Sequence, residues 1–262
     1  MKELIKLLKR AANAHDIYRV FNDFLEMSAI AVSNAVDFTH KAEREARYLE
    51  IIGSYEKREQ ALFPEMYAHL VLALDEKANT TGPEDMLGPV FHELELHNKY
   101  KGQFFTPQHI ADLMARLSCP DGGKGIAEER GYVSMCEPCC GAGVMLMSMA
   151  KALTENGLNY RTQLVCTAID IDLKCVHMAY LQSALYGIPS VVIHGNSLLV
   201  QEWSRWYTPA YMMNGWIWRE TCGLADRPSA EDEMIRSALE PTYATSRKAE
   251  ALIEPPQDAV PA

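Results

Sequence analysis

The sequence predicts an α/β protein in which a helical amino-terminal region precedes a parallel sheet. From residue 1 to about residue 100, apolar side chains such as Leu4, Leu7 and Leu8 recur at helical spacing, and no segment shows clear strand alternation. Beyond Lys101, short apolar runs typical of strands alternate with helical segments. Such alternation indicates right-handed βαβ units, which build parallel sheets.

Composition and charge limit the class of protein. Of the 262 residues, 48% are hydrophobic and 23% are charged, which indicates a globular chain rather than a disordered one. The net charge of −10 gives no general attraction to nucleic acid, so DNA binding would need a local basic patch or a partner. No apolar run approaches the ~20 residues of a membrane span. The start, MKELIKLLKR, is an amphipathic helix rather than a signal peptide, and the seven cysteines lie mostly in apolar runs, so we expect a cytoplasmic protein.

Three regions follow from these patterns. We expect a helical region over residues 1–100, a sheet domain over 101–224, and a mobile acidic tail over 225–262, where eight acidic residues face four basic ones. Thr106 and Pro107 look like the N-cap and first residue of a helix. The strands are predicted over 132–136, 164–169 and 191–194, and helices over 143–152 and 173–186.

The segment Cys136-Glu-Pro-Cys-Cys-Gly-Ala-Gly143 joins the first predicted strand to a helix. Gly141 and Gly143 permit a tight turn and a close approach of a ligand to the backbone. The helix that follows begins with free N–H groups, so the loop suits a nucleotide-like or carboxylate-bearing ligand. The alternative is an ordinary glycine turn.

Polar side chains follow the next two strands. Asp170 comes directly after the second strand, where a carboxylate commonly accepts hydrogen bonds from ribose hydroxyls. Asp172 fits the alternative of a helix-capping carboxylate. After the third strand, Asn196 could bond the edge of an adenine and Ser197 could shape its pocket, although Gly-Asn is also common in plain turns.

Two strings together resemble a known family. Residues 85–91, Asp-Met-Leu-Gly-Pro-Val-Phe, and residues 101–107, Lys-Gly-Gln-Phe-Phe-Thr-Pro, resemble the N6-adenine DNA methylases, in particular the modification subunits of type I restriction systems. The Glu-Pro-x-Cys-Gly-x-Gly loop looks like their S-adenosylmethionine motif, usually written with Asp before the proline. The segment Gly195-Asn-Ser-Leu198 resembles a motif in which the family usually has Gly-Asp.

The resemblance implies a Rossmann-like methyltransferase sheet, truncated here, that binds S-adenosylmethionine and acts on DNA. It implies that Gln103 to Gln108 wrap the methionine end, that Glu137 lies near the amino group, and that Asp170 and Asn196 hold ribose and adenine. Phe105 and Ile171 would form apolar walls. The residues implied in cofactor binding are Gln103, Phe104, Phe105, Thr106, Pro107, Glu137, Pro138, Gly141, Ala142, Gly143, Asp170, Ile171, Asn196 and Ser197.

The family's catalytic motif, Asn or Asp followed by Pro-Pro and an aromatic residue, has no counterpart ahead of the polar tail. A degenerate substitute is Tyr211-Met-Met-Asn-Gly-Trp216, in which Asn214 would accept from the target amine and Trp216 would stack on the flipped base. The alternative is a turn with an aromatic residue packed below it.

Three functions therefore stay open, and the third and weakest is a methyltransferase that acts on RNA or on a small molecule, since the acidic composition does not favour duplex DNA. The first is an S-adenosylmethionine-dependent DNA N6-adenine methyltransferase that uses Asn214. The second is a catalytically inactive, methylase-like binding or regulatory module that needs a protein partner or a second copy of itself, and the missing Pro-Pro-aromatic motif favours it. No second C-x-x-C and no paired histidines accompany Cys136, Cys139 and Cys140, so no metal site is expected.

Deleting residues 225–262 is expected to leave the melting temperature nearly unchanged, because this segment lacks the apolar periodicity needed to join a core. Differential scanning calorimetry of the full and shortened chains measures this. A fall of many degrees would mean that the segment belongs to the folded structure.

Overall fold

The computed structural model describes residues 1–94 and 105–221. The chain divides into two compact units, Met1–Trp216 and Ile217–Ala262, and the second is described only over residues 217–221. The predicted boundaries near residues 100 and 225 both fall outside the described residues, as does the predicted acidic tail. No helix in the described ranges has the length and apolar character needed to cross a bilayer.

The amino-terminal region is helical, as predicted. Its helices are α1 (Lys2–Ala11), α2 (Ile17–Ser33), α3 (Lys41–Gly53), α4 (Lys57–Gln60), α5 (Leu62–Thr80) and α6 (Leu87–Glu93). The helix α2 begins where Asp16 accepts a hydrogen bond from the backbone N–H of Arg19, which satisfies one of its free donors.

Strands and helices alternate after residue 105. The elements are α7 (Gln108–Ser118), α8 (Lys124–Arg130), β1 (Val133–Glu137), α9 (Val144–Glu155), α10 (Tyr160–Gln163), β2 (Leu164–Asp170), α11 (Leu173–Tyr186), β3 (Ser190–Asn196), β4 (Gln201–Tyr207), α12 (Pro209–Met213) and α13 (Trp216–Thr221). The protein is therefore mixed α/β. The interpretation of Thr106 as an N-cap is wrong, because extended Pro107 occupies that position and offers no side-chain cap.

The four strands form one sheet in the order β1-β2-β3-β4. β1, β2 and β3 are parallel, with Cys136 opposite Thr167 and Thr167 opposite Val191. β4 was not predicted, and it runs antiparallel to β3. It starts opposite Asn196 and ends with Tyr207 opposite Val191, so the chain returns to the amino ends of the parallel strands.

The helix α11 lies between the amino-terminal helices and the sheet. It packs on α2 and α5 on one side and on β2 and β3 on the other. Its Tyr180 and Leu181 are fully buried, and both belong to a core that also includes Leu8 and Phe24. The amino-terminal helices and the sheet therefore share one hydrophobic core, and burial of that apolar surface holds them together.

Arg44 attaches the amino-terminal helices to β4. This buried guanidinium donates to Asp37 Oδ2 at 2.7 Å and to the backbone oxygen of Arg205 at 2.7 Å. It also lies 4.0 Å from the ring centroid of Trp206, close enough for a cation–π interaction. These contacts bind the antiparallel strand to the helical region.

His177 is a buried histidine on the sheet-facing side of α11. It is 3% exposed, and its ring meets that of Trp206 edge-on at 4.9 Å. Among the described residues, its Nε2 has no hydrogen-bond partner. Burial, with smaller contributions from the nearby His194 and Arg44, lowers the pKa of His177 to about 3.

We expect this histidine to make the protein less stable in acid. Below an unfolded pKa of about 6.5 the unfolded chain binds a proton that the folded chain does not bind until about pH 3. The free energy of unfolding should therefore fall as pH falls through this window. His177→Gln should lose less stability between pH 7 and pH 4.5, by roughly 2 kcal/mol. Urea unfolding at both pH values measures this.

His109→Gln is the matched control, because His109 is an exposed histidine on α7. This variant should keep the acid dependence of the unchanged protein. Equal acid dependence in the His177 variant and in the unchanged protein would contradict the assignment.

Candidate cofactor cleft

An open cleft of about 1110 Å³ lies at the carboxyl ends of β1, β2 and β3. In parallel sheets ligands bind at this edge, because the loops that leave the strands converge there. The walls include most of the residues predicted to bind the cofactor: Phe105, Thr106, Glu137, Pro138, Gly141, Ala142, Asp170, Ile171, Asn196 and Ser197.

The loop between β1 and α9 is tied to the end of β2. The backbone N–H of Cys140 donates to the carbonyl of Ile169 at 2.9 Å, and that of Gly141 donates to Asp170 Oδ2 at 2.8 Å. These bonds hold the loop against the neighbouring strand. Cys140 itself is buried, and burial raises the pKa of its thiol well above the usual value.

The backbone conformation and the close neighbours of Gly141 and Gly143 favour glycine at both positions. Gly141 has a φ of +53°, and a Cβ there would lie 3.1 Å from the ring of Phe105. Gly143 has a φ of +95°, and a Cβ there would lie 3.1 Å from Cα of Ala179 in α11. Positive φ favours glycine, and a Cβ at either position would require its neighbour to move by a few tenths of an ångström. Gly143 therefore supports the cleft by packing against α11 rather than by lining it.

Asp170 links two parts of the cleft. Its Oδ2 accepts from Gly141 N, and its Oδ1 accepts from Asp172 N at 2.9 Å. A carboxylate offers about four lone-pair positions, so one remains on each oxygen for a ligand hydroxyl. Burial raises the pKa of Asp170, while the backbone N–H groups of Asp172, Gly141 and Ile171 act against that rise.

Asn196 ends β3 and orders the turn that follows. Its Oδ1 accepts from the backbone N–H groups of Leu198 at 3.0 Å and Leu199 at 3.1 Å. Ser197 is half-buried beside it, with its hydroxyl 4.0 Å from the thiol of Cys139. The turn therefore brings the loop after β3 against the loop after β1.

The polar wall of the cleft is acidic. Glu137, Asp170 and Asp172 line it, and no lysine or arginine of the described residues does. Glu137 accepts from the N–H of Cys139 at 3.2 Å, and the Asp172 carboxylate lies 3.0 Å from Lys174 Nζ. Such a wall suits a ligand with positive charge and opposes one with several phosphates.

Apolar side chains cover the remaining wall. Phe105 is half-buried and stacks near Phe91 at 5.3 Å between ring centroids. Ile171 is 60% exposed at the mouth of the cleft, where a flat aromatic ligand could cover it. Sequence patterns missed Tyr18 of α2 and Met114 of α7, which also line the cleft, because only tertiary packing brings these helices there.

A buried network behind the cleft was also missed. Gln182 is fully buried in α11, and its Nε2 donates to the carbonyl of Ala142 and to Asp85 Oδ1, each at 2.9 Å. Its Oε1 accepts from the backbone N–H groups of Met86 and Leu87. The one available signal was a glutamine within an apolar helix, since buried amides need partners.

Some predicted residues lie elsewhere or cannot be placed. Pro107 does not line the cleft, although it caps the helix α7 that does. Gln103 and Phe104 lie outside the described residues. In the part of the chain that the structure describes, no three His, Cys, Asp or Glu side chains are grouped to hold a metal ion.

The structure does not bring Asn214 and Trp216 to the cleft, in contrast to the predicted catalytic role. Asn214 donates from Nδ2 to the carbonyl of Arg161, just before β2, at 2.6 Å. Trp216 is 1% exposed and packs on Tyr132, just before β1, at 4.8 Å. Both contacts are at the amino ends of the parallel strands, because antiparallel β4 has carried the chain away from the cleft. The pair therefore fits the alternative of a packed turn.

A family model described as N-6 DNA Methylase matches residues 86–234, which is more than half of the chain. The chain belongs to the N-6 DNA methylase family. The matched region begins beside Asp85 and includes the glycine loop, Asp170 and Asn196. Among curated proteins, none matches the chain.

Replacing Gly143 by alanine should destabilise the protein more than the same change at Gly131. Both have positive φ, but a Cβ at Gly131 would meet nothing within 4 Å. We expect Gly131→Ala to cost about 1 kcal/mol of unfolding free energy. Gly143→Ala should cost about 1–3 kcal/mol more, because it overpacks against α11. Urea denaturation tests this, and equal losses would mean that the close approach carries no constraint.

Proposed function

We propose that the chain binds S-adenosylmethionine in the cleft, as a DNA adenine-N6 methyltransferase of its family or as the part of one that holds the cofactor. The observation that carries this proposal is the meeting of the glycine loop, Asp170 and Asn196 at one edge of the sheet. Each of the three was predicted separately from the sequence, and together they line one cleft.

The charge of the cleft supports this cofactor over others built on adenosine. S-adenosylmethionine carries a sulfonium and an ammonium group, whereas dinucleotides and ATP carry phosphates. Glu137 and Asp170 place carboxylates on the wall, and no described lysine or arginine joins them there. Opposite charges attract and like charges repel most strongly where water is partly excluded.

The walls allow a role for each predicted residue. Asp170 would hold the ribose hydroxyls with its remaining lone pairs, and Asn196 would contact the adenine. Phe105 and Ile171 would cover the apolar faces, and Glu137 would attract the amino group. Pro138, Gly141, Ala142 and Ser197 would shape the wall, and Thr106 would close the side of α7. The cofactor supplies a methyl group that is activated by a positively charged sulfur.

Transfer to adenine N6 needs a further group beside the cleft. The target amine must be held by a hydrogen-bond acceptor, and the flipped base by an aromatic face. Asn214 and Trp216 contact residues at the opposite edge of the sheet, so we do not assign them this role. We infer that residues beyond the described ranges or a partner protein supply it. Without either, the chain would be a cofactor-binding module.

Asp170→Ala should weaken binding of S-adenosylmethionine by about 1–3 kcal/mol, roughly a five- to 150-fold rise in Kd, because hydrogen bonds to a charged acceptor are lost. Isothermal titration calorimetry of the purified full chain measures this. Asp121→Ala is the matched control, since Asp121 also accepts two backbone N–H bonds, from Gly123 and Gly125, but does not line the cleft.

The control should keep the original Kd. Equal affinity in the Asp170 variant and the unchanged protein would remove Asp170 from the site. An absence of binding by the unchanged protein would contradict the proposed function as a whole.

A methyl-transfer assay on adenine-containing DNA, with tritiated cofactor and the same preparation, separates the two forms of the proposal. Transfer that persists in Asn214→Ala would indicate an enzyme whose acceptor lies elsewhere. Transfer that is lost in Asn214→Ala, with cofactor affinity intact, would contradict our reassignment of Asn214. Binding without transfer would support the cofactor-binding module.

A further inference from the structure

We propose that Asn196 contacts the purine of the cofactor as a hydrogen-bond donor only, so that the cleft accepts hypoxanthine nearly as well as adenine. This inference rests on the proposed function, because it concerns the base of the same cofactor. It differs from a contact made by a carboxylate, which can only accept at neutral pH.

The orientation of the Asn196 amide is fixed by its neighbours. The two backbone N–H groups that point at its side chain, those of Leu198 and Leu199, can only donate. The atom that faces them must therefore be the carbonyl oxygen Oδ1 rather than Nδ2. A carbonyl oxygen has two lone pairs, and these two N–H groups use both.

The amide nitrogen is the polar atom that remains for a ligand. Asn196 is half-buried and lines the cleft. Among residues 1–94 and 105–221, no group accepts a hydrogen bond from its Nδ2. This donor is therefore the atom of Asn196 that can bond an acceptor on a ligand in the cleft.

The two purines present different groups around C6. Adenine has an amino donor there, flanked by the acceptors N1 and N7. Hypoxanthine has an oxygen acceptor in place of the amino group and an N1–H donor in place of the N1 acceptor, and it keeps N7 as an acceptor. A donor from the protein can therefore bond N1 or N7 of adenine, and O6 or N7 of hypoxanthine. A negatively charged acceptor placed opposite position 6 would instead bond the amino group of adenine and repel O6 of hypoxanthine.

The hydroxyl of Ser197, beside Asn196, does not make the cleft prefer adenine over hypoxanthine. Ser197 also lines the cleft, and its Oγ lies 4.0 Å from the Cys139 thiol, at the limit of a weak interaction. A serine hydroxyl can rotate to donate or to accept, so it suits either base. At this turn, the response to the two bases therefore depends on the amide of Asn196.

The test compares two probes, S-adenosylhomocysteine and S-inosylhomocysteine, by isothermal titration calorimetry with the full chain. For the unchanged protein we expect the two Kd values to agree within about threefold, because the single donor finds an acceptor on each base. Asn196→Asp keeps an oxygen for the two backbone N–H groups and replaces the donor by a charged acceptor. It should raise the preference for the adenosyl compound at least about tenfold.

Asn159→Asp is the matched control, because Asn159 Oδ1 also accepts a backbone N–H, that of Arg161, but the residue does not line the cleft. It should leave both Kd values unchanged. The melting temperature of each variant checks that it is folded. The ratio in the unchanged protein tests the inference even if Asn196→Asp fails to fold.

The test distinguishes a failure of this inference from a failure of the proposed function. A preference of the unchanged protein for the adenosyl compound above about 30-fold would overturn the inference while leaving cofactor binding in place. An equal ratio in the unchanged protein and in folded Asn196→Asp would also overturn it. Failure of the unchanged protein to bind either compound would contradict the proposed function itself.

Discussion

The geometry of the cleft depends on one buried amide. Gln182 joins three separate parts of the chain: the start of α6, the helix α11, and the glycine loop at Ala142. All its donors and acceptors are satisfied, so it contributes specificity without a buried unpaired group. Asp85, which burial makes harder to ionise and whose pKa is raised, also accepts from the N–H of Gly88 at 2.8 Å. The helical region thus fixes the loop directly rather than merely covering the sheet.

Much of the fold could be predicted from local patterns. The helix α11 has the predicted bounds, because Asp172 caps its start and Gly187 ends it in a left-handed conformation. The three parallel strands were found because their apolar runs are short and lie between turn signals. Asp170 and Asn196 follow two of the predicted strands, and parallel strands bring their carboxyl ends to one edge of the sheet. Both residues line the cleft at that edge.

The rest depends on tertiary contacts that no local pattern carries. β4 has exposed and half-buried residues along most of its length, with Trp206 its one buried side chain, so its sequence resembles a loop. Because this strand was missed, Asn214 was assigned to the cleft, whereas it contacts Arg161 at the amino ends of the parallel strands. Tyr18 lines the cleft from α2, far earlier in the chain, and Gln182 contacts the glycine loop from α11, about 40 residues after it.

The reversal at β4 also sets the distance between the cleft and the chain that follows β4. The seven residues of β4 span roughly 23 Å at about 3.3 Å per residue. Because β4 runs away from the cleft, Trp216 lies about this distance from the cleft along the strand direction. A segment that starts at Trp216 would need about seven fully extended residues to cover the same distance back to the cleft. A group attached to Trp216 by a shorter segment could not reach the cleft, whatever its chemistry.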